Sequence, residues 1–163
     1  MSTRTDYSPR EWNLLKDLPY LVAAAIISTS LSGGYGKMRE AFSIMPAVRR
    51  TARQFPDNML IQELREIKSD KSWQSDGVVE NLGRERIGPF VLEKCREALS
   101  VLEEKSTPEE IEQYKHWLLL VAKYVANAAK SGGFLGLGSL FVDKGEAQWI
   151  QQLTSTLGIE QAS

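Results

Sequence analysis

The chain has 163 residues, 20 Lys+Arg against 21 Asp+Glu, one His and one Cys, for a formal net charge of −1. This length suits one domain whose core needs neither disulfides nor a metal staple. A balanced charge gives no electrostatic ground for general nucleic-acid binding, one Cys excludes an internal disulfide, and one His with one Cys cannot build a His/Cys zinc site.

In chain order, the first residues, Met1 to Pro9, contain no apolar stretch, so no secretory signal is expected. Ser8-Pro9-Arg10-Glu11 has the form of a helix start, with Ser8 as cap, Pro9 in the first turn and Glu11 closing a capping box. Trp12, Leu15, Leu18, Val22 and Ile26 then share one helical face. Pro19 removes the hydrogen bond to the Leu15 carbonyl and is expected to kink or split this helix. The strongly apolar part of the charge-free run, Leu18 to Ile27, is half the length of a spanning helix and reads as a buried core segment. Gly33 and Gly34 close it, and a second helix is expected from near Lys37. Arg49, Arg50 and Arg53 form the one compact basic cluster, on the outer part of that helix.

The middle is less regular. Asp57 is placed to cap a helix over 58–68, with Leu60, Ile61, Leu64 and Ile67 as its apolar stripe. Residues 69–77 read as a polar loop carrying Trp73, a candidate interface anchor. A short helix over 78–86, a break at Gly88-Pro89 and a helix over 90–105 follow, with Phe90, Leu92, Cys95, Leu99 and Leu102 turned inward. Thr107-Pro108-Glu109-Glu110 starts a helix running to Lys130, with Tyr114, Trp117, Leu118, Val121, Val125 and Ala128 at helical spacing. Gly132 to Val142 is rich in glycine and apolar residues. Asp143 and Glu146 have capping-box spacing, and 148–157 closes the chain before Gly158. No segment alternates with period two, so no sheet is expected.

The two halves align. Thr107-Pro108-Glu109-Glu110 lies 99 residues after Ser8-Pro9-Arg10-Glu11, and Ser131-Gly132-Gly133-Phe134 lies 99 after Ser32-Gly33-Gly34-Tyr35. Over Ser8 to Tyr35, 9 of 28 aligned positions are identical. Beyond the turn, Glu40 to Ile44 resembles Glu146 to Ile150. The expected architecture is a single all-α domain over 1–163. It is a helical bundle of two pseudo-two-fold related helix–Gly-turn–helix units, about 8–54 and 107–157, with a variable helical middle.

Chemistry is sparse. The stretch 132–142 lacks the Gly-Lys-Ser/Thr ending of a phosphate loop, and no strand precedes it. It reads as an apolar loop that folds back onto the core through Phe134, Leu135, Leu137, Leu140 and Phe141, with a surface patch for a partner or a membrane as the alternative. His116 has only Glu112 one turn before it, an ordinary helix pair, and Cys95 lies on an apolar stripe as an inert core thiol. Charge is uneven: residues 1–58 carry +3, 59–112 carry −5 and the remainder +1. The acidic corner of Glu103, Glu104, Glu109, Glu110 and Glu112 surrounds a helix N-terminus, where carboxylates are favoured.

The stretch Tyr114 to Leu119, then Val125 to Gly138, then Val142 to Glu146, resembles an uncharacterised bacterial all-helical family. That resemblance implies no activity and no catalytic residue. The paired helix–Gly–helix design is also similar to the tellurite-resistance TerB-like fold. That family tends to carry acidic residues at the turn, whereas this chain has Ser32-Gly33 and Ser131-Gly132, with Glu40, Asp143 and Glu146 only nearby, so no metal site is expected.

These readings predict a cytoplasmic interaction or adaptor protein, without catalysis, metal or cofactor, that meets a protein partner and no nucleic acid. The contact candidates are Phe134, Leu135, Leu137, Phe141, Trp73, Arg49, Arg50 and Arg53. The alternative is a small-ligand, lipid or membrane-surface binding protein that uses the loop 132–142.

Overall fold

The computed structural model describes residues 2–29, 44–67, 82, 84–131 and 144–160. Among these, the regular structure is entirely helical: α1 (Pro9–Thr29), α2 (44–52), α3 (Met59–Glu66), α4 (Arg84–Lys105), α5 (Pro108–Ser131) and α6 (Lys144–Thr156). A single 3-10 turn, Arg4–Asp6, precedes α1.

The start of α1 is built as the capping-box spacing predicts. The Glu11 N–H donates to Ser8 Oγ at 3.2 Å, and the Ser8 N–H donates to Glu11 Oε2 at 2.7 Å. Glu11 also receives the Lys105 ammonium at 2.6 Å, which ties the start of α1 to the end of α4. The start of α5 uses half of the same device. The Glu110 N–H donates to Thr107 Oγ1 at 3.2 Å, but the Glu110 carboxylate turns away to the segment before α1.

Pro19 does not split α1, which runs unbroken from Pro9 to Thr29 with Pro19 inside it. The physical reason lies on α5. A proline at position 19 deprives the Leu15 carbonyl of its helical donor, and the buried Tyr114 hydroxyl donates to that carbonyl at 2.9 Å. The orphaned acceptor is therefore satisfied from a neighbouring helix, and the chain keeps both the proline and the helix.

Gly88-Pro89 does not break the chain either. Both residues lie within α4, which begins at Arg84. Pro89 is the sixth residue of that helix, so it costs one hydrogen bond, to the Glu85 carbonyl, near an end where the ladder is already incomplete. Gly88 has a positive role. A Cβ there would lie 2.9 Å from Nε1 and 3.0 Å from Cδ1 of Trp149, so its absence lets the indole of α6 rest against the α4 backbone. Of the short helix expected over 78–86, only the part from Arg84 falls in a described helix, and it is the first turn of α4.

The cap of α3 is Asn58 rather than Asp57, and the helix spans Met59–Glu66. The Ile61 N–H donates to Asn58 Oδ1 at 3.0 Å, while Asn58 Nδ2 donates to the Glu110 carbonyl at 3.3 Å and to Gln113 Oε1 at 3.0 Å. One buried amide thus caps α3 and fastens it to the first turns of α5. We expect Asn58→Ala to cost about 1–2 kcal/mol, at the upper end for a lost cap because the tertiary bonds go with it; chemical denaturation with an unchanged m-value would check this.

α1 lies at the centre of the bundle, in contact with α4, α5 and α6. Leu15, Leu18, Val22 and Ile26 are fully buried on it, as the helical spacing predicts, and Ala23 and Ala25 are buried too. α5 supplies Tyr114, Trp117, Leu118, Val121 and Val125, α4 supplies Val91, Cys95 and Leu102, and α6 supplies Trp149 and Leu153. α2 packs Ala47, Val48, Thr51 and Ala52 inward. The Trp117 indole N–H donates to Thr51 Oγ1 at 3.0 Å and to the Val48 carbonyl at 3.3 Å, which anchors α2 to α5. Two hydrogen bonds join residues 99 apart in sequence, Tyr114 to Leu15 and Tyr7 to Ser106. After α6, Gly158 takes a φ of +67°, the left-handed conformation in which glycine ends a helix without strain.

Candidate functional site

α2 buries one face and exposes the other. Arg49 and Arg50 fall on the exposed face, and Arg53, also exposed, lies in the turn that directly follows the helix and completes this arginine face. Between Glu40 and Asp57 the sequence has no acidic residue. Arg49 and Arg53 make no ion pair with a described residue, and Arg50 donates to the Tyr124 hydroxyl at 3.1 Å. That bond spans two helices and holds one guanidinium against α5. Arg53 follows Arg49 and Arg50 by four and three residues, in a turn where its N–H donates to the Arg50 carbonyl at 3.2 Å. Three like charges this close in sequence repel one another. An anionic partner would remove that repulsion. Met45, 37% exposed, lies one turn before Arg49 and adds an apolar contact beside the charges.

The acidic corner divides in two. Glu103, Glu104, Glu109 and Glu112 are exposed, whereas Glu110 is buried with 2% of its surface accessible. The Ser2 N–H donates to Glu110 Oε2 at 3.2 Å, and the Ser2 hydroxyl donates to Oε1 at 2.8 Å. The Tyr7 hydroxyl donates to Ser2 Oγ and lies 2.7 Å from both Ser2 Oγ and Ser106 Oγ. Burial pushes the Tyr7 phenol above its usual range, against the lowering effect of these hydroxyl contacts. This buried polar cluster fastens residues 2–7 to the α4–α5 corner. Sequence spacing did not reveal it, because Ser2 lies 108 residues from Glu110 and no local pattern links them.

His116 and Cys95 behave as ordinary helix residues. His116 Nδ1 lies 2.9 Å from the Glu112 backbone carbonyl, not from its carboxylate, and the carboxylate is taken by Lys115 at 2.6 Å. A carbonyl only accepts, so Nδ1 carries the proton in this contact. Cys95 is fully buried, and burial pushes its thiol up to about 12, against a small lowering by the Arg96 charge. The thiolate is the reactive species, so we expect native Cys95 to resist a thiol reagent at mildly alkaline pH and to label at once in denaturant. The raised value also gives a sign for stability. The contribution is whole below the ordinary thiol range near 9 and is lost as pH rises towards 12, because the unfolded chain loses the proton first.

A cleft of about 480 Å³ opens where the end of α1 meets the starts of α4 and α6. Thr29, Glu85, Pro89, Gln148, Trp149 and Gln152 are among the residues that line it. A second cleft, of about 690 Å³, shares Pro89, Gln148 and Gln152 and continues along α4 and α6 past Leu92 and Gln151. A chain break at Gly88-Pro89 would have left no such surface, so the sequence reading passed over it.

Of the contact candidates, the structure brings Arg49, Arg50 and Arg53 together. Phe134, Leu135, Leu137, Phe141 and Trp73 lie outside the described residues, as do the turn Ser32 to Tyr35, Glu40 and Asp143. Glu146, expected near the second turn, is buried in the first turn of α6. Among the described residues there is no group of three His, Cys, Asp or Glu side chains placed to hold a metal ion, and no helix is long and apolar enough to cross a membrane. No family model, no curated protein and no solved structure matches the chain.

Proposed function

We propose that this chain is a non-catalytic interaction protein of the cytoplasm, and that its docking surface is the arginine face of α2. The observation that carries the reading is the set of three exposed guanidiniums within five residues, two of them without an ion pair among the described residues and the third held to Tyr124 at 3.1 Å. The partner is a protein segment that is acidic along one face. Exposed charges of this kind act mainly on the association rate and on the choice of partner, and less on the total affinity. A reduced, buried Cys95 agrees with a reducing compartment. The two halves are proposed to descend from one duplicated helix–turn–helix unit, on the self-similarity at a spacing of 99 residues.

Quantitative affinity capture from the source lysate tests the reading, with the wild type beside the variant R49E/R50E/R53E. We expect a set of proteins held by the wild type and depleted at least about tenfold on the variant, with release at raised salt. Identical capture by both, with an unchanged thermal melt, would count against it.

A further inference from the structure

The bond between Arg50 and Tyr124 leaves donors on both partners. Arg50 uses Nη1, at 3.1 Å from the Tyr124 hydroxyl, so Nε and Nη2 keep a whole fork of parallel N–H groups. The Tyr124 oxygen accepts in that bond, so its own proton remains to be donated, and no described residue takes it. Tyr124 is half-buried and packs against the core. Its hydroxyl therefore holds the guanidinium of a flexible side chain against a fixed point on α5. Lys123, the residue before it, is exposed and makes no ion pair with a described residue. The sequence has no Asp or Glu between Glu40 and Asp57, and none between Glu112 and Asp143. Neither stretch thus offers a carboxylate to Arg49, Arg50, Arg53 or Lys123.

We propose that the anion recognised here is a phosphate monoester, a phosphoserine or phosphothreonine of the partner protein, with two oxygens on the Arg50 fork and the third receiving the Tyr124 proton. The proposal rests on the reading of the arginine face as a docking surface. A carboxylate has two oxygens, and a bidentate fork occupies both. A phosphate monoester brings three acceptor oxygens and a charge of about −1.5 to −2 on one group, which suits a fork, a separate hydroxyl donor and three further cations. A phosphodiester, the group of common lipid surfaces, has only two free oxygens. The half-buried position of Tyr124 also favours a group carried on a side-chain stem over a flat membrane.

The probes are a short acidic peptide with a central serine, the same peptide with that serine phosphorylated, one with glutamate in its place, and vesicles of phosphatidylserine. We expect the phosphopeptide to bind at least about tenfold more tightly than either other peptide. Tyr124→Phe and Arg50→Lys should each remove most of that preference, leave binding of the glutamate peptide nearly unchanged and keep the thermal melt. Lys123→Ala should weaken all three peptides alike, because it acts through charge alone. Equal binding of the phosphorylated and glutamate peptides, a preference that survives both Tyr124→Phe and Arg50→Lys, or tighter binding to the vesicles than to the phosphopeptide would overturn the proposal. Phosphatase treatment of the lysate before affinity capture separates it from the reading on which it rests. Capture lost on dephosphorylation supports the phosphate. Capture kept after dephosphorylation but lost on R49E/R50E/R53E overturns the phosphate and leaves the acidic partner standing.

Discussion

Tyr114→Phe should destabilise the protein by about 1–3 kcal/mol, although it removes a single oxygen from a fully buried ring. The hydroxyl donates to the Leu15 carbonyl at 2.9 Å, and Pro19 has removed the only other donor that the helix would offer. Without the hydroxyl, a buried carbonyl is left unsatisfied, and the loss is the desolvation cost of that group rather than the smaller net value of one hydrogen bond. For a domain of this size, each 1 kcal/mol is about 2–4 °C in melting temperature. Pro19→Ala restores the N–H at position 19 and gives the carbonyl an internal donor. The two changes should therefore couple: Tyr114→Phe should cost clearly less when Pro19→Ala is already present. Denaturant titration of the four proteins of this cycle measures the coupling. Strict additivity would show that the hydroxyl and the proline are unrelated.

The second large effect is expected at Gly88. In most helix interiors Gly→Ala stabilises by about 1 kcal/mol, because alanine loses less backbone entropy. At this position the added Cβ would lie 2.9 Å and 3.0 Å from two atoms of the Trp149 ring, a large side chain that is itself only 3% exposed and would have to shift. Overpacking of this kind costs about 1–3 kcal/mol, so it should outweigh the propensity gain, and Gly88→Ala should lower stability. The sign gives the sharpest readout. In a Trp149→Ala background the obstacle is gone, and the same Gly88→Ala change should now stabilise. A stabilising Gly88→Ala in the native background would mean that α6 does not rest on α4 as described.

Much of this fold was legible in the sequence, and the misses share one cause. The apolar stripes of α1 and α5, the Ser8–Glu11 box and the stop at Gly158 are local patterns, and they appear where spacing put them. The two prolines were read as breaks because a local rule sees only the lost donor. It does not see Tyr114, 99 residues from Leu15, which supplies another. The same limit explains the cap of α3. Asp57 and Asn58 are equally good caps by type, and Asn58 holds the role because its amide nitrogen, which a carboxylate lacks, also donates to Glu110 and Gln113. For the candidate surface, the arginine cluster was visible as composition, but its link to Tyr124 was not. The cleft beside Glu85 depends on three helices that meet in space, so no single segment announced it.

The arginine face of α2 is the centre of the functional account, and in-cell photo-cross-linking from that face tests it most directly. Met45 is exposed one turn before Arg49, and a photoreactive residue in its place should form a defined adduct with a partner. The adduct should disappear when R49E/R50E/R53E is combined with it, and a photoreactive residue at the exposed Glu104 of the acidic corner should give no such product. An adduct at position 45 that persists through the charge reversal, or none at 45 beside a strong one at 104, would contradict the account.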